Sequence, residues 1–356
     1  MVKWIYSNKM NQDRYQKYSI IIPSFNRVDE IKELVSSFQR LQFNRKKFEV
    51  IIIDDGSTDN TIDLLKDHQE KVNYILNFYS QNNQGPGAAR NNGMQRANGD
   101  FFIFLDSDCT VPDSWLSQID NALNSHKADA FGGPDTYRDD FPAILKAVNY
   151  SMTSFITTGG LRGKKGKKLA KFYPRSFNMG LSRQLTKKVG GFGSLRHGQD
   201  IEYSNRIIKS GAKIVFVADA PVYHKRRTNI LRFYKQVYNW GVARINLYSI
   251  DHSMLELLHT IPAIITLSAL LISVLAIFIL PMRIIFWSGC VVFGIILIFS
   301  MLDSIRLYKD IRPAFFLPLI MPAQIFGYGF GFIHNFIRRV ILKKKEIVGF
   351  NKRYYQ

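Results

Sequence analysis

The stretch that most constrains this chain is Gly99-Asp100-Phe101-Phe102-Ile103-Phe104-Leu105-Asp106-Ser107-Asp108-Cys109. Five consecutive apolar residues, rich in Phe, predict a strand buried on both faces, as in a parallel sheet. The run stops on two carboxylates one residue apart, and the turn former Pro112 follows shortly. In open α/β sheets ligands bind outside the carboxyl ends of the strands. Asp106 and Asp108 have the same parity, so extended backbone aims both at one ligand. Like charges so placed repel unless a cation or hydrogen-bond donors offset them. A hard divalent ion carrying substrate phosphates meets that need. The plain alternative is a solvated turn after a strand.

The residues before this strand repeat its logic. Ser19-Ile20-Ile21-Ile22 predicts a short buried strand ending on Pro23-Ser24-Phe25-Asn26-Arg27, and Ile31, Leu34, Val35 and Phe38 follow at helical spacing. Glu49-Val50-Ile51-Ile52-Ile53 predicts a second strand, closing on Asp54-Asp55-Gly56-Ser57. A helix through Ile62, Leu64 and Leu65, a strand over 72–78 and a glycine-rich loop from Asn83 to Asn91 come next. Strand–helix alternation predicts a parallel sheet with right-handed crossovers, so three polar loops share a crevice with Asp106 and Asp108. Gly85 and Gly87 permit close backbone approach, the following helix N-terminus attracts anions, and Arg90 adds a fixed positive charge.

The second half changes character. Residues 261–280 and 284–302 are each almost free of polar groups and have roughly the 20 apolar residues that span a bilayer. No apolar run follows Met1, so no cleaved signal peptide is expected. The formal charge of +20 admits nucleic acid or, alternatively, anionic lipid with a phosphate-bearing substrate. The apolar tail, and carboxylates at strand ends that would face a phosphate backbone, favour the second and argue against nucleic acid. Cys109 and Cys290 are the only cysteines, which fits a reducing compartment without a disulfide framework.

Taken together, IIIPSFNR, IIIDDGSTD, NQGPGAARNNG and FLDSDCTVP, then FNMGLSRQLTKKVGGFG and GQDIEYSNRIIKSG, resemble the inverting, nucleotide-sugar-dependent glycosyltransferases of family 2. The later segments are most similar to its membrane-attached branch, succinoglycan glucosyltransferases among them. The resemblance implies a GT-A type α/β domain over about residues 18–245, after a polar lead-in at 1–17. A helical membrane region over 246–342 and a basic tail at 343–356 would follow. It further implies that Pro23, Ser24 and Asn26 line a uridine pocket, Asp55 accepts from the base, and Gly87 and Arg90 sit by the nucleotide. Asp106 would bond the ribose and Asp108 would hold a divalent cation, Mg2+ or Mn2+, on the diphosphate. Asp200 matches the general base, although Gln199 stands where family members commonly carry Glu. His224 would be a further metal ligand, with Lys225–Arg227 near diphosphate or headgroup, and Trp240 and Arg244 would contact acceptor. Asn239 replaces the usual Arg before that Trp.

The function so implied is transfer of a sugar from a nucleotide diphosphate sugar to a hydroxyl of a lipid-linked saccharide. A polyprenyl-phosphate glycosyl synthase, in which lipid phosphate itself attacks, is the alternative. A sugar-nucleotide sensor without catalysis would be expected to lack Asp108 or Asp200, and both are present. The expected location is the cytoplasmic face of an inner membrane, with more than one pass. Glu202 is expected to pair with Arg206 one turn on. The run from Leu161 to Lys168 is basic and glycine-interrupted, either a solvated loop or a lid that touches lipid phosphate. Residues 281–283 are expected to join the two spans. Residues 313–336, apolar but carrying Pro313, Pro318, Pro322, Gly327, Gly329 and Gly331, are expected to bend back rather than cross.

Overall fold

The computed structural model describes residues 14–158, 172–225 and 229–346. The basic run 161–168, together with Arg226 and Arg227, lies outside them. Tyr18–Ser24 (β1) is buried throughout, and Val28–Gln39 (α1) covers it with Ile31, Leu34, Val35 and Phe38. Phe48–Asp54 (β2), Thr61–Gln69 (α2), Ile75–Ser80 (β3), Pro86–Arg96 (α3) and Phe101–Leu105 (β4) continue the alternation. The third strand starts later than expected because Val72 N–H is taken by the turn after α2, bonding His68 O at 3.1 Å.

Beyond β4 come Cys109–Thr110 (β5), Trp115–His126 (α4), Ala130–Gly132 (β6), Asp135–Thr136 (β7), Ala143–Thr153 (α5) and Phe155–Thr158 (α6). Asn178–Ser182 (β8), Arg183–Val189 (α7), Gln199–Lys209 (α8), Ile214–Phe216 (β9) and Val222–His224 (β10) complete the α/β part. The main sheet has the order β3-β2-β1-β4-β8-β6-β9, parallel except that β8 runs against both its neighbours. A small sheet, β5-β10-β7, stands beside it.

The Phe-rich strand is buried on both faces. Phe101, Ile103 and Leu105 join the core under α1 and α4, while Phe102 and Phe104 join the opposite core with Met179 and Tyr203. Each such side chain contributes roughly 1.5–3 kcal/mol of burial. Gly180 on β8 is obligatory, since a Cβ there would stand 2.6 Å from Phe102 O.

Four helices follow: Ile230–Ile250 (α9), Leu257–Phe278 (α10), Leu280–Tyr308 (α11) and Leu317–Phe336 (α12). Leu257–Phe278, Leu280–Tyr308 and Ala314–Ile341 are each long and apolar enough to cross a membrane. Two expectations are corrected here. Ile279 alone separates α10 from α11, and Pro281 opens α11, where its missing N–H costs nothing. Residues 317–336 form one helix rather than a bend. Pro318 again sits in the first turn, and the glycines serve close packing against α9 instead of breaking the helix. A Cβ on Gly331 would stand 1.9 Å from Tyr238 O, and one on Gly327 would stand 2.7 Å from Val237 Cγ2.

Candidate active site

The strand ends that the sequence singles out do converge. After β4 the chain turns so that Cys109 N bonds Asp106 O at 3.1 Å, and β5 then pairs antiparallel with β10. That pairing sets His224 opposite Cys109, and His224 Nε2 lies 3.1 Å from Asp108 Oδ1. Its Nδ1 lies 3.4 Å from Asp135 Oδ2, at the start of β7. Asn178 knits this corner together. Its amide donates to Ala220 O (2.8 Å) and Pro134 O (3.2 Å), and its oxygen accepts from Trp115 Nε1 (3.2 Å).

The electrostatics suit a hard cation. Burial works against a charged imidazole, but Asp108 and Asp135 prevail and push His224 up to about 9. Ligand atoms of Asp108, Cys109 and His224 fall within 4.8 Å of one another. Burial, reinforced by Asp108, Asp106 and Asp135, pushes the Cys109 thiol well up, so it stays protonated. A divalent ion that displaced the His224 proton would take the place of that proton beside Asp108, with carboxylate and imidazole as its donors. Arg90 Nη2 meets Asp106 Oδ1 at 2.5 Å, and the guanidinium lies over the Phe192 ring. Burial and Asp108 raise the Asp106 carboxyl despite that partner.

At the ends of β1 and β2 the side chains are mostly spent on each other. Asn26, at φ +52°, accepts from Thr58 N at 2.7 Å and donates its own N–H to Ser57 Oγ at 2.8 Å. The Asp55 carboxylate accepts from Gln81 Nε2 (2.8 Å), Gln84 N (2.9 Å) and Gly85 N (2.7 Å), so it fastens the glycine-rich loop to β2. Burial raises its pKa in spite of these donors. Ser24 Oγ and Asp54 Oδ1 are buried without a hydrogen-bond partner among the described residues. Both stand at carboxyl ends of strands, where a polar ligand would satisfy them. Pro23 lies beside them on β1.

Asp200 enters from the other side. Gly198, at φ +82°, turns the chain into α8, with Gln199 and Asp200 in its first turn. Gln199 packs so tightly under the glycine-rich loop that a Cβ on Gly87 would stand 2.6 Å from its Oε1. Asp200 Oδ2 lies 3.1 Å from Arg175 Nη1, and Oδ1 accepts from Ile201 N at 2.9 Å. Burial alone would raise this carboxyl; Arg175, with Arg90 behind it, holds it below its usual value. Glu202 and Arg206 pair at 2.6 Å as expected, and Arg206 also donates to Gly191 O at 2.7 Å, pinning the Gly190-Gly191 turn.

One cavity of about 870 Å³ joins these groups. Arg90, Asp106, Asp108, His224 and Lys225 line it together with Arg175, Gln199, Asp200, Trp240 and Arg244. Pro23, Ser24, Asn26, Asp55 and Gly87 lie outside its walls, although Pro86 is among them. Lys225 is engaged with Glu33 on α1 at 2.5 Å. Two lining residues, Asp135 and Arg175, had no signal in the sequence beyond a carboxylate after Gly132-Gly133-Pro134 and an Arg between Pro174 and Ser176. Pairing of β7 with β10 brings Asp135 to His224, and the packing of α8 brings Asp200 to Arg175.

Residues 19–190 match the family model described as glycosyl transferase family 2. The chain is 33% identical over 113 residues to poly(ribitol-phosphate) beta-N-acetylglucosaminyltransferase TarS of Staphylococcus aureus, covering 32% of this chain and a fifth, 20%, of that protein. It is 36% identical over 117 residues to the GalNAc(5)-diNAcBac-PP-undecaprenol beta-1,3-glucosyltransferase of Campylobacter jejuni, covering 33% of this chain and 37% of that one. The solved mannosyltransferase of Pyrobaculum calidifontis superposes with a TM-score of 0.62 over 91% of this chain and 88% of that one, at 16% identity. The shared fold is the GT-A type, here followed by apolar helices.

Proposed function

We propose that this protein is a metal-dependent, inverting, membrane-attached glycosyltransferase. It moves a sugar from a nucleotide diphosphate sugar, UDP-linked in the first instance, to a hydroxyl on a lipid-linked saccharide. The observation that carries this is the continuity of one cavity. It runs from Asp106, Asp108 and His224, past Asp200, to walls supplied by α10, α11 and α12. A donor diphosphate and a membrane-borne acceptor can thus meet at Asp200. The Campylobacter relative is named for an undecaprenol-linked saccharide, which supports an acceptor of that class.

Asp200 accepts the proton of the acceptor hydroxyl, whose oxygen attacks the anomeric carbon opposite the diphosphate. The bond from that carbon to the diphosphate oxygen breaks as the new glycosidic bond forms, so one displacement inverts an α-linked donor to a β-linked product. A divalent ion held by Asp108 and His224 would neutralise the charge building on the leaving diphosphate. Arg90 adds fixed positive charge there and holds Asp106 toward the donor.

One observation favours the polyprenyl-phosphate synthase as a second reading. Arg175 weakens Asp200 as a base, which matters little to an acceptor that is already anionic. Trapping the product separates the two readings: an extended saccharide supports the first, a mono-glycosyl phospholipid the second. Location on the cytoplasmic face of an inner membrane follows from the donor, which is made in the cytoplasm, and from the apolar helices.

A further inference from the structure

Arg244 is a buried cation in the wrong company. It sits on α9 at 8% exposure and donates to Met254 O at 2.9 Å, and among the described residues no carboxylate pairs with it. A buried charge left with neutral partners is costly unless an anion joins it. The cavity that Arg244 lines also holds Arg175, which pairs with Asp200, and His259 feels the charge of both arginines. The Tyr328 hydroxyl stands in the field of Arg244 on the same stretch. Just beyond, the walls turn apolar, with Ile265 from α10, Phe293 from α11 and Ile325 from α12.

From this arrangement we infer an anion site on the acceptor side of Asp200, in which Arg175 and Arg244 take the phosphate or diphosphate of a prenyl-linked acceptor. The apolar wall takes the first isoprene units. The assignment rests on the glycosyl-transfer reading above and narrows it. Arg175 touches Asp200 directly, so a phosphate on its other edge lies one guanidinium width from the base. The acceptor is therefore a prenyl phosphate or diphosphate, free or carrying sugar, which an enzyme forming that prenyl-linked product must supply. Arg175 also changes partner in the process, leaving Asp200 as the phosphate arrives. It is a positioning residue for Asp200 and a ligand for the acceptor.

The test uses the full chain in detergent micelles with Mg2+ and a nucleoside diphosphate filling the donor end, and farnesyl diphosphate as the probe. Wild type should bind farnesyl diphosphate at least ten times more tightly than farnesol, which lacks the anion, or inorganic diphosphate, which lacks the chain. Arg175→Gln and Arg244→Gln should each weaken the probe at least tenfold, and Arg175→Lys should recover part of the loss. Farnesyl diphosphate affinity that ignores Arg175 overturns the site, and equally tight inorganic diphosphate overturns its lipid source. Because Arg244 also holds Met254 O, a glutamine variant that no longer binds nucleoside diphosphate has lost its fold, and the Arg175 pair then decides. Wild type that fails to bind any nucleoside diphosphate would instead sink the glycosyltransferase reading.

Discussion

His224 Nε2 lies 3.1 Å from Asp108 Oδ1, which ties the strand-end acid to the middle strand of the small sheet. Without that pairing across β5 and β10, Asp108 would be one more exposed acid at a turn.

Asp135 supports His224 from behind at 3.4 Å. Partners of this kind orient a metal-bound imidazole, and their loss typically costs about 10–100-fold in metal affinity. Asp135→Asn is therefore expected to weaken Mn2+ binding by about that factor, read by Mn2+ titration, while the protein stays folded by circular dichroism. An unchanged Mn2+ affinity would remove Asp135 and His224 from the cation site.

Asp200 should show its partner in the pH–rate profile. Its carboxyl is held below the usual range, so it stays ionised, and able to accept a proton, to lower pH than an ordinary Asp. Removing the guanidinium in Arg175→Gln raises that pKa, and the acid limb of transfer should move to higher pH. Asp200→Asn should abolish most transfer with donor binding retained. A limb that stays in place on losing Arg175 would show that another group titrates.

The α9–α12 contact sets up a contrast in glycines. Gly331→Ala drives a methyl into Tyr238 O, so it is expected to cost about 1–3 kcal/mol, seen as a lower midpoint of thermal unfolding. Gly289→Ala on α11 meets nothing within 4 Å and should change stability by less than about 1 kcal/mol. Equal effects at the two sites would mean that α12 does not press against α9.

Topology follows from what holds the two ends of α12. At its start, Leu317, Ile320 and Met321 pack with Val148 and Phe233 of the catalytic part. At its end, Asn335 Nδ2 donates to Asn246 Oδ1 (2.7 Å), and Arg339 bonds both Asn246 (3.1 Å) and Glu346 (2.7 Å). Asn246 lies on α9, and Asp251 just past that helix is held by Asn205 of α8 at 2.6 Å. Both ends of α12 are thus tied to one side, and α12 is expected to lie along the membrane surface beside α9 while α10 and α11 cross. A reporter fused after Gln356 should read on the side of the catalytic domain. A reading on the opposite side would make α12 a third span.

How much of this was legible beforehand divides along physical lines. The strands ending at Ser24, Asp54 and Leu105 were readable because both faces are buried, which writes a continuous apolar run into the sequence. The pairing of Glu202 with Arg206 was readable because it is one helical turn long. Asp135 and Arg175 were not, since each acts through a partner far along the chain. The glycines of α12 were misjudged for a related reason. A glycine that permits a bend and one that admits a neighbouring backbone look alike until the neighbour, Tyr238, is in place. Asp55 shows a third case: its position at the strand end was legible, but its bonds to Gln84 and Gly85 depend on the path of the loop.

The central claim is that nucleotide-sugar chemistry at Asp108 is joined to acceptor chemistry at Asp200. The most direct measurement is a screen of nucleotide diphosphate sugars on the purified full chain with Mn2+ and a prenyl-diphosphate-linked monosaccharide, reading released nucleoside diphosphate. At least one donor should release it in an acceptor-dependent way, Asp108→Ala should abolish the release with Mn2+ present, and Asp200→Asn should abolish its dependence on acceptor. Acceptor-dependent release that survives both substitutions would contradict the account.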